Sequence, residues 1–132
     1  MASFVYLSTI EQTASLWDCG EFISAAYKLE VVHEPGAPFF LLIGRVFTLF
    51  TSDVTQVAVM VNSMSAIASS FTILFLFWTI TAFGRKIYFK DGEEEQSKIF
   101  AVLGAGIIGA LAYTFSDSFW FSAVEGEVYA MS

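Results

Sequence analysis

The longest apolar run of the chain, residues 54–83, contains no Asp, Glu, Lys or Arg. A helix rises about 1.5 Å per residue, so this run is longer than the roughly 30 Å thickness of a hydrocarbon core. A second uncharged run, residues 99–116, lies at the lower limit of what spans a bilayer. The pattern therefore predicts an all-α, polytopic transmembrane protein with spans at 54–83 and 99–116.

The first apolar run, residues 1–10, is too short to cross a bilayer. It lacks the basic leader and the small-residue cleavage site of a signal peptide. We therefore interpret it as the end of a first transmembrane helix, and the chain as an N-terminal fragment of a larger membrane protein.

Four basic residues lie in the segment between the two spans: Arg85, Lys86, Lys90 and Lys98. Because Lys and Arg concentrate in cytoplasmic loops, residues 84–98 are predicted to be cytoplasmic. Residues 11–53 then form an outer loop, and residues 117–132 an outer segment. The acids of that outer face are Glu11, Asp18, Glu21, Glu30, Glu34, Asp53, Asp117, Glu125 and Glu127.

The outer loop carries two helical patterns. Residues 21–30 place polar residues between apolar ones as in an interfacial helix, and the segment 33–38 ends it with two prolines and a glycine. Residues 39–50 are apolar except for Arg45 and too short to span. We expect them to form an interfacial or re-entrant helix.

Asp18 and Glu21 are three residues apart, so their carboxylates share one side of a helical turn. The apolar side chains that flank them would keep that turn at the membrane interface, where a carboxylate becomes more basic and suits proton abstraction from a hydroxyl. A structural role is equally compatible with the spacing, because Asp18 could be an N-cap and Glu21 its capping-box partner.

Glu125 and Glu127 lie among aromatic residues that include Trp120, Phe121 and Tyr129. The aromatic residues are typical of an interfacial anchoring belt. Acids at membrane depth tend to be functional, so Glu125, Glu127 and the adjacent Tyr129 are candidates for substrate binding.

His33 and Arg45 are further substrate-binding candidates, because each can place a cation where a lipid phosphate would sit. Either residue could instead be purely structural, with Arg45 extending its guanidinium to the interface.

The composition excludes several classes of function. A net charge of −7 with only six basic residues argues against nucleic acid as a partner. The single cysteine cannot form an internal disulfide, and no His/Cys pattern predicts a zinc or iron–sulfur site. We therefore expect no cofactor and assign no metal ligands, while the sequence leaves open whether a divalent metal joins the acids. Small residues four apart in the second span, Ala105 with Gly109 and Gly106 with Ala110, predict close helix packing.

Several motifs resemble the N-terminal part of the protein O-mannosyltransferase-like family of polytopic membrane proteins. They are EQTASLWDCGEFI at residues 11–23, HEPGAP at 33–38, GR at 44–45 and FWFSAVEGEVYAM at 119–131. The chain departs from the family in having Glu34 and Pro35 where two prolines usually follow the histidine, and in lacking a complete first helix.

The resemblance implies a GT-C type fold with its active site on the extracytoplasmic face of the bacterial inner membrane or an equivalent membrane. Such enzymes take a sugar, here expected to be mannose, from a polyprenyl-phosphate lipid and pass it to an acceptor, here expected to be a protein hydroxyl. By position the catalytic base maps onto Asp18, with Glu21 as its neighbour. Arg45 or His33 would stabilise the departing phosphate, and attack from the opposite face would invert the sugar. The fragment alone is predicted to be inactive.

Two other classes of function fit parts of the pattern. A transporter or channel could use the outer acids as a vestibule that gathers cations, although transporters usually place ionisable residues within the spans. Both predicted spans lack such residues. In a structural subunit, the acids would only cap helices and anchor the chain.

Overall fold

The computed structural model describes residues 1–34, 36–89, 96–126 and 128. Within those ranges every regular element is a helix, which confirms the all-α prediction. The elements are α1 (Ala2–Ser8), α2 (Cys19–Lys28), α3 (Pro38–Thr48), a 3₁₀ turn (Val54–Gln56), α4 (Val57–Tyr88), α5 (Gln96–Thr114) and α6 (Asp117–Val124).

Two helical segments are long and apolar enough to cross a membrane, Val54–Tyr88 and Gln96–Thr114. α4 runs past the predicted end at residue 83, and its last turn contains Arg85 and Lys86. Cations are favoured there because they face the negative end of the helix dipole. The predicted loop 84–98 is therefore partly helical, and residues 90–95 of it lie outside the described part of the chain. Its cytoplasmic location stays a prediction.

α4 and α5 form an antiparallel pair whose contact depends on glycines. A Cβ atom at Gly106 would lie 2.6 Å from Thr81 Cγ2, and one at Gly109 would lie 2.6 Å from Ile80 Cδ1. Both distances are far below normal van der Waals contact. The flexible end of Ile80 can move away from Gly109, whereas at Gly106 the Phe77 ring also lies within 3.0 Å, so the close approach of the backbones requires glycine at Gly106. The predicted small-residue packing is confirmed at these two positions.

α2 and α3 cross each other and pack on the first half of α4. Their shared core includes Ile23, Ala26, Phe40, Val61 and Met64. A Cβ atom at Gly44 of α3 would lie 2.9 Å from the Cβ of Ala26 in α2, so the two helices are in close contact. Both predicted outer-loop helices are confirmed as helices, and their position at a membrane interface stays a prediction.

α1 and α6 cover another side of α4. Tyr6 of α1 is fully buried, and its hydroxyl donates to the carbonyl of Thr114 at 2.9 Å. Its ring meets the edges of Phe119 and Trp120 with centroids 6.2 and 6.0 Å away. The segment 117–132 was predicted only as an outer segment, whereas the structure folds its first part into α6. The functional candidates thus surround one end of α4.

Candidate functional site

Three of the predicted site residues meet at the start of α2. His33 donates its backbone N–H to Glu21 Oε1 at 2.9 Å, and its Nδ1 lies 2.8 Å from Glu21 Oε2. His33 Nε2 lies 3.9 Å from Asp18 Oδ2. We call these three residues the Asp18–His33 cluster. The sequence marked each residue as a candidate, but it did not predict that His33 joins the two acids.

The cluster forms because the chain reverses direction after α2. Leu29 ends the helix in the left-handed conformation, with φ 56° and ψ 46°. Glu30 then donates its N–H to the carbonyl of Ala25, as in common helix C-terminal motifs. The buried side chain of Val32 anchors the segment that returns along α2. This return brings His33 back to the first turn of α2.

The capping-box alternative is not formed. Asp18 occupies the N-cap position of α2, but its side chain makes no capping hydrogen bond. Glu21 uses both of its carboxylate oxygens on His33 rather than on a backbone N–H of its own helix turn. Local capping therefore does not account for this pair of acids.

The cluster carries mutually stabilised charges. Hydrogen bonds from the backbone and the ring of His33 lower the pKa of Glu21. The hydrogen bond and the negative charge of Glu21, with a smaller effect of Asp18, raise the pKa of His33. The Asp18 side chain is 59% exposed, so a substrate can reach its carboxylate.

One ligand atom from each of the three residues lies within 4.8 Å of the others. This spacing would allow the three side chains to bind a divalent cation together. In the structure the imidazole already satisfies Glu21, and the assignment of no metal ligands stays a prediction.

A groove of about 590 Å³ is lined in part by Trp17, the residue that precedes Asp18 in the chain. We call it the outer groove; among the residues that line it are Glu11, Thr13, Ser15, Trp17, Phe121 and Glu125. Glu11 Oε1 accepts the backbone N–H of Thr13 at 3.1 Å and its hydroxyl at 2.9 Å. These bonds lower the pKa of the Glu11 carboxyl. Of the predicted candidates in the described part of the chain, only Glu125 lines this groove.

Trp17 joins the cluster to the outer groove in an unusual conformation. Its φ is 66°, in the left-handed region, and its side chain is 90% exposed. A bulky residue pays about 1–2 kcal/mol for this backbone conformation relative to the right-handed region. Strain of this kind accumulates at functional sites, where the surrounding structure enforces it.

A side chain from the membrane span holds the wall of the groove. Asn62 of α4 is fully buried, and its Nδ2 donates to the carbonyls of Glu11 and Thr13 at 2.7 and 3.2 Å. The N–H of Glu11 also bonds to the carbonyl of Val124 at 3.2 Å, at the end of α6. Sequence reasoning missed Asn62. The available signal was its polar side-chain amide, which lies within a long apolar span.

Gly126 packs tightly against Asn62. A Cβ atom there would lie 2.8 Å from Asn62 Oδ1, 3.1 Å from Val61 Cγ1 and 3.3 Å from Ile23 Cγ1. The backbone after α6 therefore rests directly on α4 and α2, which fixes Glu125 beside the outer groove.

Arg45 is not part of the cluster. Arg45 donates from Nη1 to the carbonyl of Tyr27 at 2.6 Å, and its guanidinium carbon lies 5.4 Å from the centroid of the Tyr27 ring. It therefore binds the last turn of α2, at the opposite end of that helix from Asp18. Glu127 and Tyr129 lie outside the described residues.

Comparison with known proteins agrees with the motifs. The chain is 26% identical over 131 residues to "Protein O-mannosyl-transferase tmem260" of Dictyostelium discoideum, covering 98% of this chain and 14% of that protein. It is 27% identical over 129 residues to "Protein O-mannosyl-transferase TMEM260" of Mus musculus, covering 97% of this chain and 16% of that protein. The chain thus spans less than a fifth of the length of these relatives. No solved structure matches it significantly.

The family model described as "Protein O-mannosyl-transferase TMEM260 N-terminal domain" matches residues 18–132. The match begins at Asp18 and includes every predicted site residue. The resemblance drawn from the motifs is thereby confirmed, and the chain belongs to the family of the protein O-mannosyl-transferase TMEM260 N-terminal domain.

Proposed function

We propose that this chain is the N-terminal part of an integral membrane glycosyltransferase. In this proposal, the full protein transfers mannose from a polyprenyl-phosphate lipid to a protein hydroxyl with inversion. Family membership and the names of the two relatives support mannosyl transfer. Two helices long enough to span a membrane support the use of a lipid-linked donor.

The observation that carries the proposal is the convergence of Asp18, Glu21 and His33 at an exposed position. Asp18 is the general base: its carboxylate takes the proton of the acceptor hydroxyl as that oxygen bonds to the anomeric carbon. The bond between the anomeric carbon and the phosphate oxygen breaks, and the lipid phosphate leaves with the electron pair. Attack from the face opposite the phosphate inverts the sugar, as in inverting glycosidases.

Glu21 and His33 serve Asp18 in different ways. Glu21 fixes His33 through two hydrogen bonds, so the imidazole stays beside Asp18. Because the phosphate departs from the face opposite the base, a protonated His33 acts on Asp18: its positive charge holds the carboxylate in place, 3.9 Å away, on the attacking face. Arg45 already uses Nη1 on Tyr27, so any contact with the phosphate would come from its other N–H groups.

The test is Asp18→Asn in the full-length protein, assayed for mannose transfer from a polyprenyl-phosphate donor to a peptide. General bases contribute about 10²- to 10⁴-fold, so we expect a kcat loss in that range with unchanged expression and melting temperature. Glu30→Gln is the matched control. Glu30 is an exposed acid of the same loop, and its only ion-pair partner among the described residues is Lys28, at 3.9 Å. Normal turnover by Asp18→Asn would contradict the proposal.

The extracytoplasmic location of the cluster needs a separate test. Cys19 is fully buried and is a poor target for a thiol reagent. Glu34→Cys and Lys86→Cys place thiols at exposed positions in the outer loop and in the last turn of α4. An impermeant maleimide added to intact cells should label the first variant only, and labelling of Lys86→Cys alone would reverse the proposed topology.

A further inference from the structure

We propose that the outer groove binds the acceptor polypeptide and favours acceptors with Lys or Arg next to the modified hydroxyl residue. The inference rests on the proposed function and adds to it the place and the charge preference of one substrate.

The charge of the groove selects between the two substrates. Glu11 and Glu125 line it, and among the described lining residues there is no Lys, Arg or His. The donor carries an anionic phosphate, which two carboxylates would repel. A basic peptide would be attracted by the same two carboxylates. The groove therefore suits the acceptor and not the donor phosphate.

The position of the groove suits an acceptor as well. Trp17 belongs to its wall, and the next residue is Asp18. Consecutive Cα atoms are about 3.8 Å apart, so the backbone of Asp18 adjoins the wall of the groove, and a peptide that extends past this wall by a few residues can reach the Asp18 carboxylate.

Aromatic side chains give the groove a second means of holding a basic peptide. The side chains of Trp17 and Phe121 are 90% and 64% exposed although both lie at the groove. Lys and Arg bind well over the face of an aromatic ring, and Trp is the best partner for them. The left-handed backbone at Trp17 holds this large apolar ring in an exposed position.

The groove is also fixed before any peptide arrives. Asn62 holds the carbonyls of Glu11 and Thr13, and Glu11 is bonded to the end of α6. Thr13 in turn orients the Glu11 carboxylate through two hydrogen bonds. A preformed site pays less for ordering on binding, which favours recognition of short, flexible acceptors.

The experiment uses the full-length protein and three synthetic peptides that share one threonine acceptor and differ in their flanking residues, which are Lys, Ala or Glu. We expect the lowest KM for the Lys peptide and the highest for the Glu peptide. The difference should shrink as ionic strength rises, because salt screens exposed charges.

The variants Glu11→Gln and Glu125→Gln test whether the groove is responsible. Gln at position 11 keeps an oxygen for the hydrogen bonds from Thr13. Exposed ion pairs contribute little to binding, so each variant should reduce the KM advantage of the Lys peptide by up to about fivefold. The double variant Glu30→Gln, Glu34→Gln removes two exposed acids that are not among the groove residues and should preserve the advantage.

The outcomes separate the two proposals. If the wild-type protein glycosylates none of the peptides, the proposed function fails. If it glycosylates all three with equal KM, or if the control variant removes the preference as strongly as the groove variants do, only the assignment of the groove is overturned. The comparison of peptides on the wild-type protein needs no variant and stands even if a substitution disturbs folding.

Discussion

The two halves of α4 are built on different principles. Every buried residue of this helix lies between Val57 and Ile73, where α1, α2, α3 and α6 surround it. The second half packs on α5 through Thr81 and its neighbours, and exposes large apolar side chains such as Trp78, 55% exposed, and Phe83, 64% exposed. The first half is thus a scaffold for the outer loop, and the second half forms with α5 a hairpin whose outer surface exposes large apolar side chains.

The buried face of the first half is more polar than stability alone would favour. Asn62, Ser65 and Ser69 are fully buried, and Asn62 Oδ1 and both serine Oγ atoms have no hydrogen-bond partner among the described residues. An unpaired buried polar atom costs about 1–3 kcal/mol. The second half carries no buried polar side chain. Of these three side chains, Asn62 positions the outer loop directly, through its hydrogen bonds to the carbonyls of Glu11 and Thr13.

Removing the amide of Asn62 should have the largest effect. Asn62→Leu leaves the carbonyls of Glu11 and Thr13 without their donor, at about 1–3 kcal/mol for each group that stays buried. We expect a lower melting temperature of the full-length protein and a higher KM for the acceptor peptide. Asn62→Ala, which also removes the donor, should behave alike.

Ser63→Ala is the control for Asn62, because the Ser63 hydroxyl bonds only within its own helix, to the carbonyl of Val59 at 2.6 Å. We expect it to leave both the melting temperature and the KM unchanged. A similar loss in both positions would mean that the helix, and not the amide, matters.

Overpacking the second half should affect stability but not the site. Gly106→Ala and Gly104→Ala gain the same helix propensity, but only the first adds a Cβ that meets Thr81 and Phe77, since nothing lies within 4 Å at Gly104. The difference between them should be about 1–3 kcal/mol, typical of overpacking. Thermal denaturation measures it, and an equal response of the two variants would contradict the described packing.

Loss of the Tyr6 hydroxyl should weaken the contact of α1 with the end of α5 by a smaller amount. Tyr6→Phe removes one buried hydrogen bond, to the carbonyl of Thr114, worth about 1 kcal/mol. Tyr113→Phe, at a residue that is 44% exposed, is the control and should be neutral. A melting temperature of Tyr6→Phe equal to that of the wild type would show that this bond adds no stability.

The smallest effect concerns pH. The pKa of His33 is raised in the folded state. Its pairing with Glu21 therefore stabilises the fold fully below pH 6.5, the ordinary pKa of histidine, and this stabilisation is lost as the pH rises through the pKa of the folded state. The lowered pKa of Glu21 means that its contribution is present above 4.5 and is lost as pH falls through the pKa of the folded state. The cluster is therefore most stabilising between those two ordinary values.

His33 is the only histidine, so its imidazole NMR signals report this titration without ambiguity. We expect Glu21→Gln to lower the pKa of His33, and Gly106→Ala, in the other half of the molecule, to leave it unchanged. A shift in the second variant would show that a change of packing at α5 is transmitted to the Asp18–His33 cluster.

The sequence predicted what depends on long or local patterns. Hydropathy indicated both spans, and the alternation of polar and apolar residues indicated α2 and α3. It did not predict α6, because eight residues with aromatic side chains fit an anchoring belt as well as a helix. The sequence could not predict the contacts of Asn62 and His33. Their partners lie 51 and 12 residues away in the chain, and no local periodicity reports such contacts.

Gly126 shows how chemistry and shape can share one short motif. Glu125, which precedes it, lines the groove. Gly126 contributes only the absence of a side chain, because a Cβ atom there would lie 2.8 Å from Asn62 Oδ1. In a saturation-mutagenesis screen this position should reject even alanine, while Gly104 accepts many residues. Evolutionary constancy at Gly126 would then record a steric limit on the backbone and carry no information about the sugar.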